Sequence, residues 1–109
     1  MAVDLIRFNG DWNNKKSEII FSYPISSENF FRNIWTVAIT ESKLKLFKDW
    51  GNFTPNQINE VLDELCILIK WCDDNLTGND HFRMYSRIEE LMIVIPKEAP
   101  NSNEPFYIF

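Results

Sequence analysis

The sequence predicts a single α+β domain, in which an N-terminal β-hairpin or small antiparallel sheet packs with about three helices. The chain has 109 residues, of which 45% are hydrophobic, and this is enough for one core and too little for two domains. Two β-rich segments lie near the N-terminus. Three stretches with helical periodicity follow, at about residues 28–40, 55–73 and 80–92.

The hairpin is predicted from two short apolar runs that flank polar residues. Residues 3–8 (VDLIRF) and 18–23 (EIIFSY) favour strands, and Pro24 follows the second run. Between them, the Asn-Gly-Asp tripeptide at 9–11 is a turn signal, and the polar segment 13–16 is expected to be exposed. Two strands around such a loop indicate a hairpin that is longer than the tightest type.

The first helix is expected over about residues 28–40. Ser26 and Ser27 are suitable N-cap residues, and a helical wheel then gathers apolar side chains on one face. These side chains are Phe31, Ile34, Trp35 and Ala38. Residues 43–50, where lysine and leucine partly alternate, leave helix and strand both open.

The second helix is expected over about residues 55–73. Thr54 is a suitable N-cap residue, and Pro55 occupies the first helical position, where its missing N–H is not needed. A continuous apolar stripe follows, formed by Ile58, Val61, Leu62, Leu65, Ile69 and Cys72. This stripe predicts the side of the helix that faces the core.

The third helix is expected over about residues 80–92, after a loop at 75–79. Asp80 is a candidate cap, and one face carries His81, Met84, Tyr85, Ile88, Leu91 and Met92. Residues 92–95 (MIVI) precede Pro96 and are also compatible with a strand. The apolar residues 106–109 are expected to dock on the domain as a possible C-terminal edge strand.

No catalytic, cofactor or metal site is predicted, and we expect that the protein is not an enzyme. His81 is the single histidine and lies on an apolar helix face, where a structural role is favoured. Cys66 and Cys72 match no zinc or redox spacing and are expected to be reduced thiols on or beside the apolar side of their helix. No signal peptide or membrane span is recognisable, which favours a cytoplasmic protein without a membrane partner.

The charge distribution favours a basic protein partner. The net charge is −5, which argues against nucleic acid as a partner, because the phosphate backbone requires a positive surface. Residues 51–109 carry a net charge of −6, and residues 1–50 carry +1. The acids therefore concentrate on the second helix and just beyond it.

The back of the second helix is the predicted partner-binding surface. Glu60, Glu64, Ile67 and Trp71 align about 180° from the core face, where a surface helix is normally polar. The predicted contacts are Glu60, Asp63, Glu64, Ile67, Trp71, Asp73 and Asp74. The alternative is that this helix packs on both sides, with Ile67 and Trp71 buried under the C-terminal tail.

The segments NFFRNIWTVAITESKLKLFKDWG and FTPNQINEVLDELCILIKWC resemble small immunity proteins of bacterial polymorphic toxin systems, including those of contact-dependent growth inhibition. The resemblance covers about residues 28–73 and is carried by Phe31, Trp35, Ala38, Leu62, Glu64, Leu65, Leu68 and Trp71. It implies a cytoplasmic protein that binds and neutralises the toxin domain of a secreted effector, often a nuclease. The free protein is expected to be a monomer or weak homodimer. The alternative function is a non-catalytic adaptor or structural subunit that acts through homodimerisation.

Overall fold

A computed structural model describes residues 2–10 and 18–109 of the chain. It contains a four-stranded antiparallel sheet and three helices, which confirms the α+β class. The strands are β1 (Ala2–Phe8), β2 (Ile19–Ser27), β3 (Asn52–Phe53) and β4 (Phe106–Ile108). The predictions for Asp11 and for the polar segment 13–16 lie outside the described residues.

The strand order is β2-β1-β4-β3, and every neighbouring pair is antiparallel. The N-terminal hairpin is therefore confirmed. The prediction of a C-terminal edge strand was right about the strand and wrong about the edge, because β4 lies between β1 and β3. The pairing of β4 with β3 continues into the two residues before β3, because the Trp50 N–H donates to the Ile108 carbonyl (2.7 Å) and the Ile108 N–H donates to the Gly51 carbonyl (3.0 Å).

Helix α1 covers residues 28–42, close to the expected range. It consists of Glu28–Phe30, a π-helical turn at Phe31–Trp35 and Thr36–Ser42. Ser27 caps it, because its hydroxyl accepts the Phe30 N–H. Lys43 adopts a left-handed conformation (φ 57°) and ends the helix. Residues 43–50, for which both helix and strand were open, form turns and bends.

Helix α2 (Ile58–Asn75) lies close to the expected range of 55–73. Its first predicted turn, Pro55–Gln57, is a 3₁₀ turn preceded by Thr54 as the cap. The Gln57 side chain accepts the Thr54 N–H at 3.0 Å and closes a capping box. Half of the predicted stripe is fully buried, namely Val61, Leu65 and Cys72, whereas Ile58, Leu62 and Ile69 are half-buried at its edge. Leu68, which the prediction left out of the stripe, is also fully buried.

Helix α3 (Gly78–Glu98) is longer than predicted at both ends. Thr77 precedes its first residue, so the prediction that Asp80 caps the helix was wrong; Asp80 lies in the first turn, where a carboxylate favours the helix dipole. The strand option for residues 92–95 was also wrong. Ile88, Leu91 and Ile95 continue the helical spacing of buried side chains into the last turn. None of the helices in the described ranges is long and apolar enough to cross a membrane.

The core lies between one face of the sheet and the three helices. Alternate residues of β1, including Val3 and Leu5, point into it beside Phe106 and Ile108 of β4. Large rings fill its middle: Phe31 stacks on Trp35 with 5.9 Å between centroids, and Trp35 also contacts Phe47. The Trp35 indole N–H is buried and has no acceptor among the described residues.

Arg7 is fully buried although it is charged, and sequence analysis did not predict this. Its guanidinium lies over the Phe106 ring, 4.2 Å from the centroid. It donates hydrogen bonds to four backbone carbonyls of the segment that leads into β4, those of Glu98, Ala99, Ser102 and Glu104. Burial lowers the pKa of the Arg7 guanidinium, and the nearby Glu98 and Glu104 carboxylates oppose this. Arg7 therefore ties the last segment of the chain to the first strand.

Candidate protein-binding surface

The solvent-facing side of α2 carries an isoleucine among carboxylates. Ile67 is 46% exposed, a large fraction for an aliphatic side chain in a helix. Glu60, Asp63 and Asp74 are exposed and lie within about 40° of Ile67 on a helical wheel. We call these four residues the acidic face of α2. Lys70 reaches Asp74 at 3.8 Å across one turn, which partly offsets its charge.

Glu64 is engaged by its own chain. Its carboxylate accepts the backbone N–H groups of Lys45, Leu46 and Phe47 at 2.8–3.2 Å. These donors belong to the irregular segment between α1 and β3, which has no helix or sheet ladder to satisfy its amides. Glu64 thus holds that segment against α2, at the flank of the surface on which sequence analysis placed it.

Trp71 lies on the same flank of α2. It is partly buried against the core, and its indole N–H donates to Glu41 of α1 at 2.8 Å. Trp71 is therefore covered on one side by the end of α1. The alternative hypothesis, in which the C-terminal tail buries Ile67 and Trp71, was wrong. Beside it, a shallow groove of about 200 Å³ is lined by Ser42, Ile67, Lys70, Trp71, Asp74 and Asn75. Ile67 and Trp71 thus meet in one groove at the surface.

Asp73 belongs to a separate cluster at the α2–α3 junction. Its Oδ1 lies 2.7 Å from Nε2 of His81, and the His81 ring stacks on Tyr85. The histidine is one-third exposed rather than buried in the core. This pair connects the end of α2 to the start of α3, so the Asp73 carboxylate is committed within the domain.

The two cysteines differ in environment. The Cys72 thiol is fully buried, and burial followed by the neighbouring Asp73 charge raises its pKa. Cys66 is exposed, so placing both thiols on or beside the apolar side of the helix was wrong for Cys66. Cys66 lies two residues before the buried Leu68, on a side of α2 that faces away from the core.

Sequence analysis missed the loop around Trp50. Trp50 is 67% exposed and has a positive φ of 62°, which is rare for a large side chain. Its ring stacks on Phe109 with 5.1 Å between centroids. The Asp-Trp-Gly tripeptide at 49–51 is a turn signal. A tryptophan within a turn could have indicated from the sequence that this side chain is exposed.

Comparison with models of known protein families gives no match, and no similar curated protein or solved structure was found. Within residues 2–10 and 18–109, no group of three or more histidine, cysteine, aspartate or glutamate side chains is placed to hold a metal ion. The structure brings Glu60, Asp63, Ile67, Trp71 and Asp74 together along one side of α2. Glu64 and Asp73 contact other parts of the chain instead.

Proposed function

We propose that this protein binds and neutralises a basic protein, the toxin domain of a bacterial secreted effector, through the acidic face of α2. The observation that carries the proposal is Ile67, which is exposed on a central helix and surrounded by Glu60, Asp63 and Asp74. An apolar side chain within a charged rim is the usual arrangement of a binding anchor. The groove beside Trp71 extends this anchor.

Electrostatics supports a basic partner. A nuclease carries a positive cleft for its substrate, and an acidic surface both attracts such a cleft and competes for it. Glu60 and Asp63 form no ion pair among the described residues, so their charges are open to a partner. The resemblance to immunity proteins over residues 28–73 agrees with this partner and with neutralisation in the producing cell.

The test is calorimetric binding to the C-terminal domain of the large secreted protein encoded immediately upstream, together with growth protection on co-expression. We expect a nanomolar or tighter Kd and loss of toxicity. Ile67→Ala should raise Kd at least about tenfold, as expected for a hot-spot residue. Ile20→Ala is the matched control, because Ile20 is 48% exposed, close to the 46% of Ile67, and lies on β2 outside both candidate surfaces.

The charge contribution is tested by Glu60→Lys with Asp63→Lys. Glu64 is left unchanged, since its carboxylate also holds the 45–47 backbone. The control reverses two exposed acids elsewhere, Glu18 and Glu89, and gives the same net charge. Weaker binding only in the first variant supports the acidic face of α2. Equal weakening in both variants would show that net charge alone acts, and no binding or no such neighbouring gene would reject the immunity function.

A second candidate, an adaptor that acts as a homodimer, is favoured by a different observation. Phe82 and Ile93 are 69% and 70% exposed, and they lie on the same side of α3 about three turns apart. When two copies of α3 pair antiparallel, Phe82 of one copy meets Ile93 of the other, which gives a closed two-fold contact. Sedimentation velocity of the wild type and of Phe82→Ala tests this: a dimer that dissociates in the variant supports the adaptor, and a monomeric wild type excludes it.

A further inference from the structure

A cavity of about 200 Å³ lies on another part of the molecule, between the start of β1, the first turns of α1 and the Trp50 loop. Its walls include the Phe31 and Phe109 rings, and its polar groups belong to Glu28, Arg32 and Asp49. Trp50 stands at this cavity with most of its side chain exposed. None of these residues belongs to the acidic face of α2.

The backbone of Trp50 is held in an unfavourable conformation. A left-handed conformation is unfavourable for a residue with a Cβ, because the Cβ then lies close to the following carbonyl oxygen. The conformation persists because the Trp50 N–H donates to the Ile108 carbonyl at 2.7 Å, and because Gly51 follows in a close-packed position. A Cβ at Gly51 would collide with the carbonyls of Leu46 and Lys48. The fold therefore stabilises a strained turn that presents a large aromatic ring to solvent, and such strain clusters at binding sites.

The opposite wall of the cavity is also irregular. Phe31 and Arg32 belong to the π-helical turn of α1, in which the Thr36 N–H bonds to the Phe31 carbonyl. Single π turns within α-helices occur frequently at functional sites. Two independent departures from regular backbone thus border the same cavity.

The charged side chains that line the cavity favour a positively charged ligand. Glu28 and Arg32 form an ion pair across one helical turn, so their charges largely offset each other. The Asp49 carboxylate takes part in no hydrogen bond or ion pair within the described part of the chain. An unpaired carboxylate beside an exposed indole provides an ion-pair acceptor and a cation–π face together.

We propose that this cavity binds an arginine side chain of a protein partner, with its guanidinium on the face of the Trp50 ring opposite Phe109 and paired to Asp49. Arginine fits better than lysine, because a planar guanidinium both stacks on an aromatic face and binds a carboxylate with two parallel hydrogen bonds. The proposal rests on the proposed function for the kind of partner, a basic protein. It assigns to that partner a contact separate from the acidic face of α2.

The test needs no toxin. The ¹⁵N-labelled full chain is titrated with N-acetyl-arginine N-methylamide at constant ionic strength, and the indole N–H signals are followed by NMR. Trp50→Phe assigns the Trp50 signal. We expect a saturable shift of that signal with a millimolar Kd and no comparable shift of Trp71, whose indole N–H is already bonded to Glu41. Asp49→Asn should weaken binding about threefold to fivefold, as expected for one exposed charge contact.

Two matched probes complete the design. The citrulline analogue has nearly the same shape without the charge, and the glutamate analogue reports on anion binding at Arg32. An absent or unsaturable Trp50 shift, an equal response to citrulline, or a preference for glutamate would overturn the proposal. Asp49→Asn is expected to fold normally, because the Asp49 side chain is exposed and has no partner in the described residues. A positive result here with no toxin binding would reject only the proposed function.

Discussion

Replacing Arg7 by lysine tests how the C-terminal segment is held. The change keeps the positive charge and the apolar stem but removes the planar fork. In the structure, this fork donates five hydrogen bonds to four backbone carbonyls of residues 98–104, and its face covers Phe106. The prediction is that Arg7→Lys lowers the free energy of unfolding although charge is conserved.

The magnitude follows from counting donors. The five contacts use four N–H groups, one on Nε, one on Nη1 and two on Nη2, and the two on Nη2 are shared among three carbonyls. A lysine ammonium has three N–H groups, so at least one of these four donors is lost. A hydrogen bond to a charged group contributes about 1.5–3 kcal/mol, so the loss of one donor is expected to lower the free energy of unfolding by at least about 1.5 kcal/mol. Domains of this size unfold with about 5–15 kcal/mol, and the variant should therefore still fold.

The assay is urea denaturation followed by fluorescence, combined with hydrogen exchange of the β4 amides. We expect an earlier midpoint at unchanged slope and faster exchange in residues 98–108. Arg32→Lys is the control, because Arg32 is exposed and forms a surface ion pair with Glu28; its effect should stay below about 0.5 kcal/mol. A decrease in the free energy of unfolding of less than about 1 kcal/mol for Arg7→Lys would refute the reasoning. Such a value would mean that the guanidinium hydrogen bonds to the carbonyls of residues 98–104 contribute little to stability.

Three further predictions follow from single contacts. Glu64→Gln should lower the free energy of unfolding by about 1–2 kcal/mol in urea titrations, because one acceptor oxygen of the set that binds the 45–47 amides is lost; Glu60→Gln is the neutral control. With a thiol reagent, Cys66 should react in the folded protein and Cys72 only on unfolding, because Cys72 is buried with a raised pKa. Burial, and then the hydrogen bond to Glu90, raises the pKa of the Tyr23 hydroxyl, so the folded state retains this proton at a higher pH than the unfolded state. As the pH rises above about 10, the free energy of unfolding should therefore fall more in the wild type than in Tyr23→Phe.

Each of these has a contradicting result. Equal stability of Glu64→Gln and Glu60→Gln would show that the carboxylate does not hold the loop. Two fast thiol equivalents in the folded protein would contradict the burial of Cys72. Identical pH profiles for the wild type and Tyr23→Phe would show that the hydroxyl contributes no pH-dependent stability.

Capping and periodicity rules predicted the elements whose structure depends on residues close together in the sequence. The Thr54-Pro55 signal and the inward stripe through Val61 and Leu65 predicted α2, because capping and a 3.6-residue period act within a few residues. The same reasoning predicted the hairpin of β1 and β2. The same reasoning ended α3 too early, because the MIVI segment has a composition typical of strands. In the structure this segment is helical, and Ile95 packs in the core.

The candidate surface was predicted in part. Ile67 and the acids around it lie on the outside of α2, as the helical wheel indicated. The wheel could not show that Glu64 would accept three amides from residues 45–47, or that Trp71 would bond to Glu41, because both partners come from distant parts of the chain. Trp50 was not predicted for a related reason. Its exposure and its strained backbone depend on a hydrogen bond to β4, which lies more than fifty residues later in the sequence.

The sequence by itself determined the fold class, the three helices, the hairpin and the acidic character of α2, since these follow from periodicity, caps and charge along the chain. Only the tertiary structure decided that β4 lies inside the sheet, that Arg7 is buried beneath the segment leading into it, and that Trp50 is presented beside a cavity. These features arise where distant backbone groups must satisfy one another's hydrogen bonds away from water. That requirement acts on the folded chain as a whole and leaves no periodic pattern in the sequence.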